Sequence, residues 1–310
     1  MNCHCCSCKC RKSGSYRNKN RVVQRYACDR CGKSFSQSQP LGELRVDFKV
    51  ACQVVHLLVE GMGIRAISRF TGLHQETVLN ILKEAGDKAA QWHETDVRNV
   101  KAEVVQADEM HAIVGCRQQT AYAWETERGA QFTFLSVDRH SKLIINYLVG
   151  KRTRENAEHF LMDLRGRVAG HFQIVTDNWQ VYSGEAGAVA LVLGSVADYA
   201  TETKYFARPN EFEPRKVIGI RRRPRFGEPD MTQATTCHVE RTNLSVRLFT
   251  KRFARCTLGY SKKLDNLKSA VALFVWHFNW VRIHGSLNGR TPAMAAGLYW
   301  RPLTIAELLG

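Results

Sequence analysis

Three carboxylates, far apart in a chain of 310 residues, have the types and settings for chemistry on an anionic substrate. Val104–Ala107 reads as a short strand that ends at Asp108, and Phe172–Thr176 as another that ends at Asp177. Open α/β sheets place their sites at the carboxyl ends of strands. Glu240 falls on a long helix expected over about 237–256, and Asn243, Arg247 and Lys251 share its stripe. Val239, Val246, Phe249 and Phe253 line the opposite, apolar face. Magnesium takes oxygen ligands, and phosphoryl chemistry uses a pair of such ions to hold the attacking and leaving oxygens. Two strand-end aspartates and a helix glutamate are of the right type to cage them. The other reading is plain: 29 acidic residues offer many triples, and a strand-end Asp is often a turn former.

The elements around these acids read as an α/β layer fold with a mixed sheet. Gln131–Val137 and Leu143–Val149 form a hairpin across Asp138–Ser141, and Thr153 caps a helix that carries Ala157, Phe160, Leu161 and Leu164. A helix near Val181–Leu193 and a strand near Val196–Ala200 follow. The segment 206–236 lacks periodicity and reads as a basic loop. Its Arg221, Arg222, Arg223 and Arg225 are candidates for phosphate contact. A second long helix is expected over 263–283, and 286–310 reads as a tail.

Lys plus Arg number 45 against 29 Asp plus Glu, a formal charge of +16. The excess lies in residues 1–31 (+7), 208–225 (+5) and 240–263 (+6), and the rest of the chain is close to neutral. Separate basic stretches fit a polyanion touched at several places. The longest apolar stretch, near Ala186–Val196, is too short to span a bilayer, so no membrane partner is expected.

Seven of the eleven cysteines precede residue 32. Cys28 and Cys31 form one CxxC pair, and Cys3/Cys6 and Cys5/Cys8 are two overlapping pairs upstream. Two such knuckles aim four thiolates at one structural zinc ion, a zinc ribbon over 1–36, with either upstream pair as donor. A linker over Ser34–Leu44 leads to a helical region, 45–92. There Ile64–Phe70, a Thr71-Gly72 turn and Gln75–Lys83 have the pattern of a helix-turn-helix. Its second helix presents His74, Gln75, Thr77 and Asn80 outward, types that can reach base edges.

Longer strings carry a resemblance. The chain is similar to the single-frame transposases of the insertion-sequence-one family, bacterial DDE enzymes, in MNCHCC, QRYACDRCGKSF, GMGIRAISRFTGLHQETVL, QADEMHAIVG, TDNWQVY, TCHVERTNLSVR, SKKLDNLKSAVALFVWHFNWVRIHGSL and TPAMAAG. The resemblance implies a ribonuclease-H-like catalytic domain over about 100–285 with a basic insertion at 206–236, preceded by the zinc ribbon and the helix-turn-helix. It implies Asp108, Asp177 and Glu240 as ligands of two catalytic magnesium ions, and Arg247 as a grip on the transposon end. It favours Cys3, Cys6, Cys28 and Cys31 as the zinc set, with Cys5/Cys8 as the alternative first pair. His111 departs from the family's usual Trp and reads as a packing residue, while Glu109 alternates to the other strand face and is expected to be no ligand. The implied partners are terminal inverted repeats, a target duplex and at least one further copy of the chain, in a cytoplasmic, nucleoid-associated setting. The rival readings are a zinc-dependent DNA-binding regulator with an inactive second domain, and a nuclease that cuts without joining.

Overall fold

The computed structural model describes residues 8–18, 21–36, 41, 44, 46–122, 124–184, 186–207, 216–254 and 257–310. Arg11–Asn18 (β1), Arg21–Ala27 (β2) and Ser34–Ser36 (β3) pair antiparallel in the order β1-β2-β3. Between β2 and β3 the backbone closes a tight knuckle: Gly32 N–H donates to the Cys28 carbonyl (2.9 Å) and Cys28 N–H to that of Lys33 (3.0 Å). Cys3, Cys5 and Cys6 lie outside the described residues.

Three helices follow. Asp47 caps Phe48–Val59 (α1), its carboxylate accepting the N–H groups of Lys49 and Val50. Ile64–Thr71 (α2) ends on Gly72 at φ 72°, a left-handed cap that glycine adopts without a Cβ clash. Gln75–Asp96 (α3) then runs well past the expected end at Lys83. The reason is packing: Val78, Ile81, Leu82, Ala85, Ala89 and His93 continue one buried stripe. Its partner is Leu264–Trp276 (α8), and the two backbones come so close that a Cβ on Gly86 would stand 2.5 Å from Ser269 Cβ.

The second sheet comprises Val104–Val114 (β4), Gly129–Asp138 (β5), Ile144–Gly150 (β6), Phe172–Thr176 (β7), Ala197–Phe206 (β8) and Val217–Phe226 (β9). Its order is β6-β5-β4-β7-β8-β9, with β4, β7 and β8 parallel and the other pairs antiparallel, so the expected mixed α/β sheet is present. Arg154–Arg167 (α4) starts at its Thr153 cap. The helix expected over Val181–Leu193 is split into Gln180–Ser183 (α5) and Ala188–Leu193 (α6). Cys237–Phe249 (α7) is shorter than expected, and α8 continues as a π-helical turn, His277–Val281.

Two further expectations are corrected. Residues 217–226 of the basic segment are an edge strand: Arg221, Arg222 and Arg223 pair along β9 with Thr203, Glu202 and Thr201. The expected tail is part of the core. Pro292–Ala295 (α9) and Ile305–Leu309 (α10) close the chain, and Leu303, Ile305, Leu308 and Leu309 are buried in the same apolar cluster as α1, α3 and α4. Lys88 Nζ on α3 donates to the Leu309 carbonyl (2.6 Å). Leu309→Ala therefore lowers stability by about 2–4 kcal/mol, as read by urea unfolding. No helix among the described residues is long and apolar enough to cross a membrane.

The sheet has two covered faces. Val105 and Ala107 of β4 belong to the cluster shared with α1, α3, α4 and α6. Met110, Ala112 and Val114 pack on the other face with Val239 and Val246 of α7 and Leu267, Val271 and Val275 of α8. Because side chains alternate along a strand, Asp108 points toward α7 and Glu109 toward the α4 side.

Candidate active site

Asp108 lies in the middle of β4, not at its end. The ladder from β4 to β7 stops at Gln106↔Val175, while that to β5 continues through Asp108↔Leu135 and Glu109↔Phe134. From Ala107 to Ile113 β4 is therefore held on one edge by β5 and has no ladder on the other. Asp177 follows the last residue of β7 beside this open edge, and its Oδ1 accepts the Trp179 N–H (3.0 Å). The result is a convergence: one carboxylate oxygen from each of Asp108, Glu109 and Asp177 lies within 4.8 Å of the others. Among the described residues it is the only such group of three or more His, Cys, Asp or Glu side chains.

Sequence reasoning assigned Glu109 away from this group because alternation turns it to the opposite face. The face is as expected, but the open edge lets both neighbours reach Asp177. Burial, together with the charges of Glu109, Asp177 and Glu240, pushes Asp108 up to about 7. Glu109 is raised by burial and by Asp177, against the opposing pull of Arg152. Arg152 donates to Glu109 Oε2 from Nη2 (2.9 Å) and Nε (3.1 Å), stands 3.7 Å from Asp177 and lies over the Trp179 ring at 4.2 Å. The Tyr182 hydroxyl is beside Glu109, yet Glu109 Oε1 is buried without a hydrogen bond of good geometry.

This donor set fits hard divalent cations. Their oxygen ligands stand about 2.0–2.6 Å from the ion, so donors sharing one ion are at most roughly 5 Å apart. Three converging carboxylates, one raised by burial and by its neighbours and one with an orphaned buried oxygen, supply what such an ion needs.

Glu240, the third acid expected from the sequence, is carried toward the site by α7 but is not one of the converged carboxylates, a place that Glu109 takes. Gln106, two residues before Asp108 on the same strand face, accepts the His238 (2.9 Å) and Val239 (3.1 Å) N–H groups with its Oε1. These bonds satisfy the first turn of α7 and seat the helix on β4. Asn243, one turn past Glu240, then donates from Nδ2 to Asp108 Oδ2 (2.8 Å). Glu240 Oε1 itself accepts from Thr236 Oγ1 (2.7 Å) and from Lys204 Nζ. Glu240 is thus next to the converged acids but engaged by Lys204. Behind this pair, buried Glu202 holds Lys204 (3.7 Å), Arg222 (2.9 Å) and Thr236.

The remaining candidates are more dispersed. Gln75 and Asn80 are exposed at the start of α3, and Thr77 is half-buried. Arg247 is half-buried on α7, whereas Lys251 lies in the 3-10 turn after the helix. Arg221, Arg222 and Arg223 are exposed along β9, with Arg222 committed to Glu202. His111 meets the Phe132 ring edge-on at 5.3 Å, in agreement with a packing role. Cys8 Sγ accepts from Arg30 Nη1 (3.3 Å), which sets it beside the Cys28–Cys31 knuckle. Sequence reasoning missed Arg152, Lys204, Glu202 and the helix-seating role of Gln106. Only the last left a signal, its position two residues from Asp108 on a strand.

No protein-family model matches the chain, and no curated protein matches it. Among solved structures, it is similar to a chain of the simian T-cell lymphotropic virus intasome in complex with PP2A regulatory subunit B56 gamma. The identity is 15%, covering 82% of this chain and 77% of that one, with a TM-score of 0.38. It is also similar to the piggyBac transposase synaptic complex with hairpin DNA (10% identity, 81% and 69% covered, TM-score 0.37). For the Mos1 strand transfer complex the identity is 12%, 50% of this chain and 58% of that chain are covered, and the TM-score is 0.23. Scores this low carry no weight for function, which has to rest on the side chains at the acidic centre.

Proposed function

We propose that the chain is a DNA transposase of ribonuclease-H-like fold that cleaves the ends of an insertion element and joins them to a target duplex. The observation that carries this reading is the convergence of Asp108, Glu109 and Asp177 at the open edge of β4, with α7 seated so that Asn243 touches Asp108 and Glu240 stands alongside. Asp108, Asp177 and Glu240 would hold two magnesium ions, Glu240 once free of Lys204. Such ions would supply Lewis-acid activation of water and of a 3′ hydroxyl against the phosphodiester. Arg152 keeps Glu109 and Asp177 oriented and offsets their repulsion. Arg247, Lys251 and the β9 arginines grip phosphates next to the cut, the sequence-independent part of DNA affinity.

The amino-terminal elements read the inverted repeats. Gln75, Thr77 and Asn80 reach base edges from the start of α3, as the second helix of a helix-turn-helix. One zinc ion, bound by Cys28, Cys31 and an upstream pair (Cys3/Cys6, or Cys5/Cys8), secures the ribbon; the position of Cys8 beside the knuckle supports the second pair. Pairing two element ends requires at least a dimer.

Asp177→Asn tests this reading. With magnesium and a duplex bearing the terminal repeats, the variant loses nicking and strand transfer by at least roughly a thousandfold, several kcal/mol of transition-state stabilisation. Its end binding in a gel-shift assay stays within about threefold, since Asp177 contributes no cationic contact. Retained nicking refutes the metal role.

A further inference from the structure

β4, the strand that carries Asp108 and Glu109, is joined to β5 by a loop, 115–128, that presents two large aromatic side chains to water. Tyr122 is 61% exposed and Trp124 76%, and their rings stack on each other, 4.7 Å between centroids and 5° between planes. The neighbours Gln118, Gln119, Thr120, Thr126 and Glu127 are polar and exposed. Rings of this size are costly to keep in water, and stacking on each other covers only one face of each.

The loop is pinned at its base. Gln118 Oε1 accepts the Ala130 N–H (2.9 Å), and Glu125 accepts from the Tyr122 N–H (3.0 Å) and from Arg128 Nη1 (2.6 Å). Lys151 Nζ donates to the carbonyls of Arg128 (2.5 Å) and Ala130 (3.0 Å). Lys151 directly precedes Arg152, which bonds Glu109 at the acidic centre. The extended chain from Asp108 to Val114 covers about 20 Å, or roughly six base-pair steps of a duplex.

The surroundings of the rings decide between occupants. A protein partner needs a contiguous apolar patch of at least roughly 300 Å², and here two rings stand among polar side chains. Phosphate contact calls for net positive charge, and within the loop Arg117 and Arg128 are matched by Glu125 and Glu127. A nucleobase needs only a flat π face of its own size, and the outer face of a parallel ring pair continues the stack. Bases inside a duplex already have both faces covered by their neighbours, so the base that fits is unpaired.

We propose that Tyr122 and Trp124 are a stacking platform for an unpaired nucleobase of single-stranded DNA flanking the acidic centre. The assignment rests on the DNA reading above and adds to it a site indifferent to sequence, because every base has a π face.

Anisotropy titrations of the full chain with a labelled oligothymidylate and with a blunt duplex of equal length, without magnesium, test it. Trp124→Ala weakens oligothymidylate binding about tenfold and duplex binding by less than about twofold. Trp124→Phe, which keeps a stacking ring, stays within about threefold of the parent on both. The slope of log affinity against log salt is the same for all three chains, since no cation is removed. The urea midpoint of Trp124→Ala matches that of the parent, because the ring is exposed. A strand carrying 2-aminopurine gives a second signal: its emission is quenched by the parent and by Trp124→Phe, and less by Trp124→Ala. Equal losses on single strand and duplex, undiminished single-strand binding by Trp124→Ala, or a changed salt slope would each overturn the proposal. Nothing is cut in this experiment, so its outcome is read separately from the nicking test of Asp177→Asn.

Discussion

Asp108→Asn yields a chain that resists urea better than its parent at pH 8 and cleaves no phosphodiester. Asp108 is held up to about 7 when folded, against an ordinary value near 3.8. A carboxyl raised on folding binds more protons in the folded than in the unfolded state between those two values. Its effect on stability is therefore unfavourable as pH rises from about 4 to 7, and stays so above. The integrated cost is on the order of 4 kcal/mol. Asparagine fills the same space and cannot ionise, so the cost disappears. Glu109, also raised, leaves a residual slope of the same sign. His93 and His277, lowered by burial to about 3 and about 4, act in the opposite direction, losing stability as pH falls below about 6.5. The diagnostic quantity is thus the difference between variant and parent, small at pH 5 and large at pH 8. Magnesium or manganese raises the parent's midpoint at pH 8 and not the variant's, because the ions substitute for the missing proton. A difference that does not grow with pH, or cleavage within tenfold of the parent, would falsify the assignment.

Glu240→Gln lowers cleavage by at least roughly a hundredfold, while Lys204→Met lowers the magnesium concentration needed for half-maximal cleavage. The two variants act on opposite partners of one ion pair. In the free chain Lys204 Nζ and Thr236 Oγ1 engage the same oxygen of Glu240, so an incoming ion must compete for it. The pair is part-exposed, which limits its worth to about 1 kcal/mol, or a shift of about fivefold in the metal midpoint. Methionine keeps the bulk of Lys204 against Glu202 and removes the competitor. Glu109→Gln, measured in parallel, separates the two acids. Should it silence cleavage while Glu240→Gln spares it, the third ligand is the strand residue and α7 contributes Asn243 alone.

The parts of this molecule visible in its sequence are those decided by neighbours in the chain. Thr153 caps α4, Gly72 terminates α2, and β7 runs from Phe172 to Thr176 with Asp177 directly after it, all as local rules require. Elements decided by distant partners were misread. The Asp108-Glu109 pair has the composition of a strand end, but β5 supplies hydrogen bonds to β4 as far as Ile113 and keeps it extended. Arg221, Arg222 and Arg223 look like a loop until β8 pairs with them. The continuation of α3 beyond Lys83 depends on α8, nearly 180 residues later in the chain. The same limit applies at the acids. Type and order identified Asp108 and Asp177, whereas Lys204 and Arg152 enter only through tertiary approach.

The length of α3 has a mechanical consequence. Its 22 residues form a rod of about 33 Å whose first residues, Gln75 and Glu76, are exposed and whose middle is packed on α8 at the Gly86–Ser269 crossing. A joint between the amino-terminal helices and the acidic centre would have to bend this rod or break that seam. The interval between Gln75 and Asp108 is therefore set by steel rather than string. On the proposed function, each base pair inserted between the sites read and cut on a duplex would shift one of them by about 3.4 Å along the axis, with no slack to absorb it.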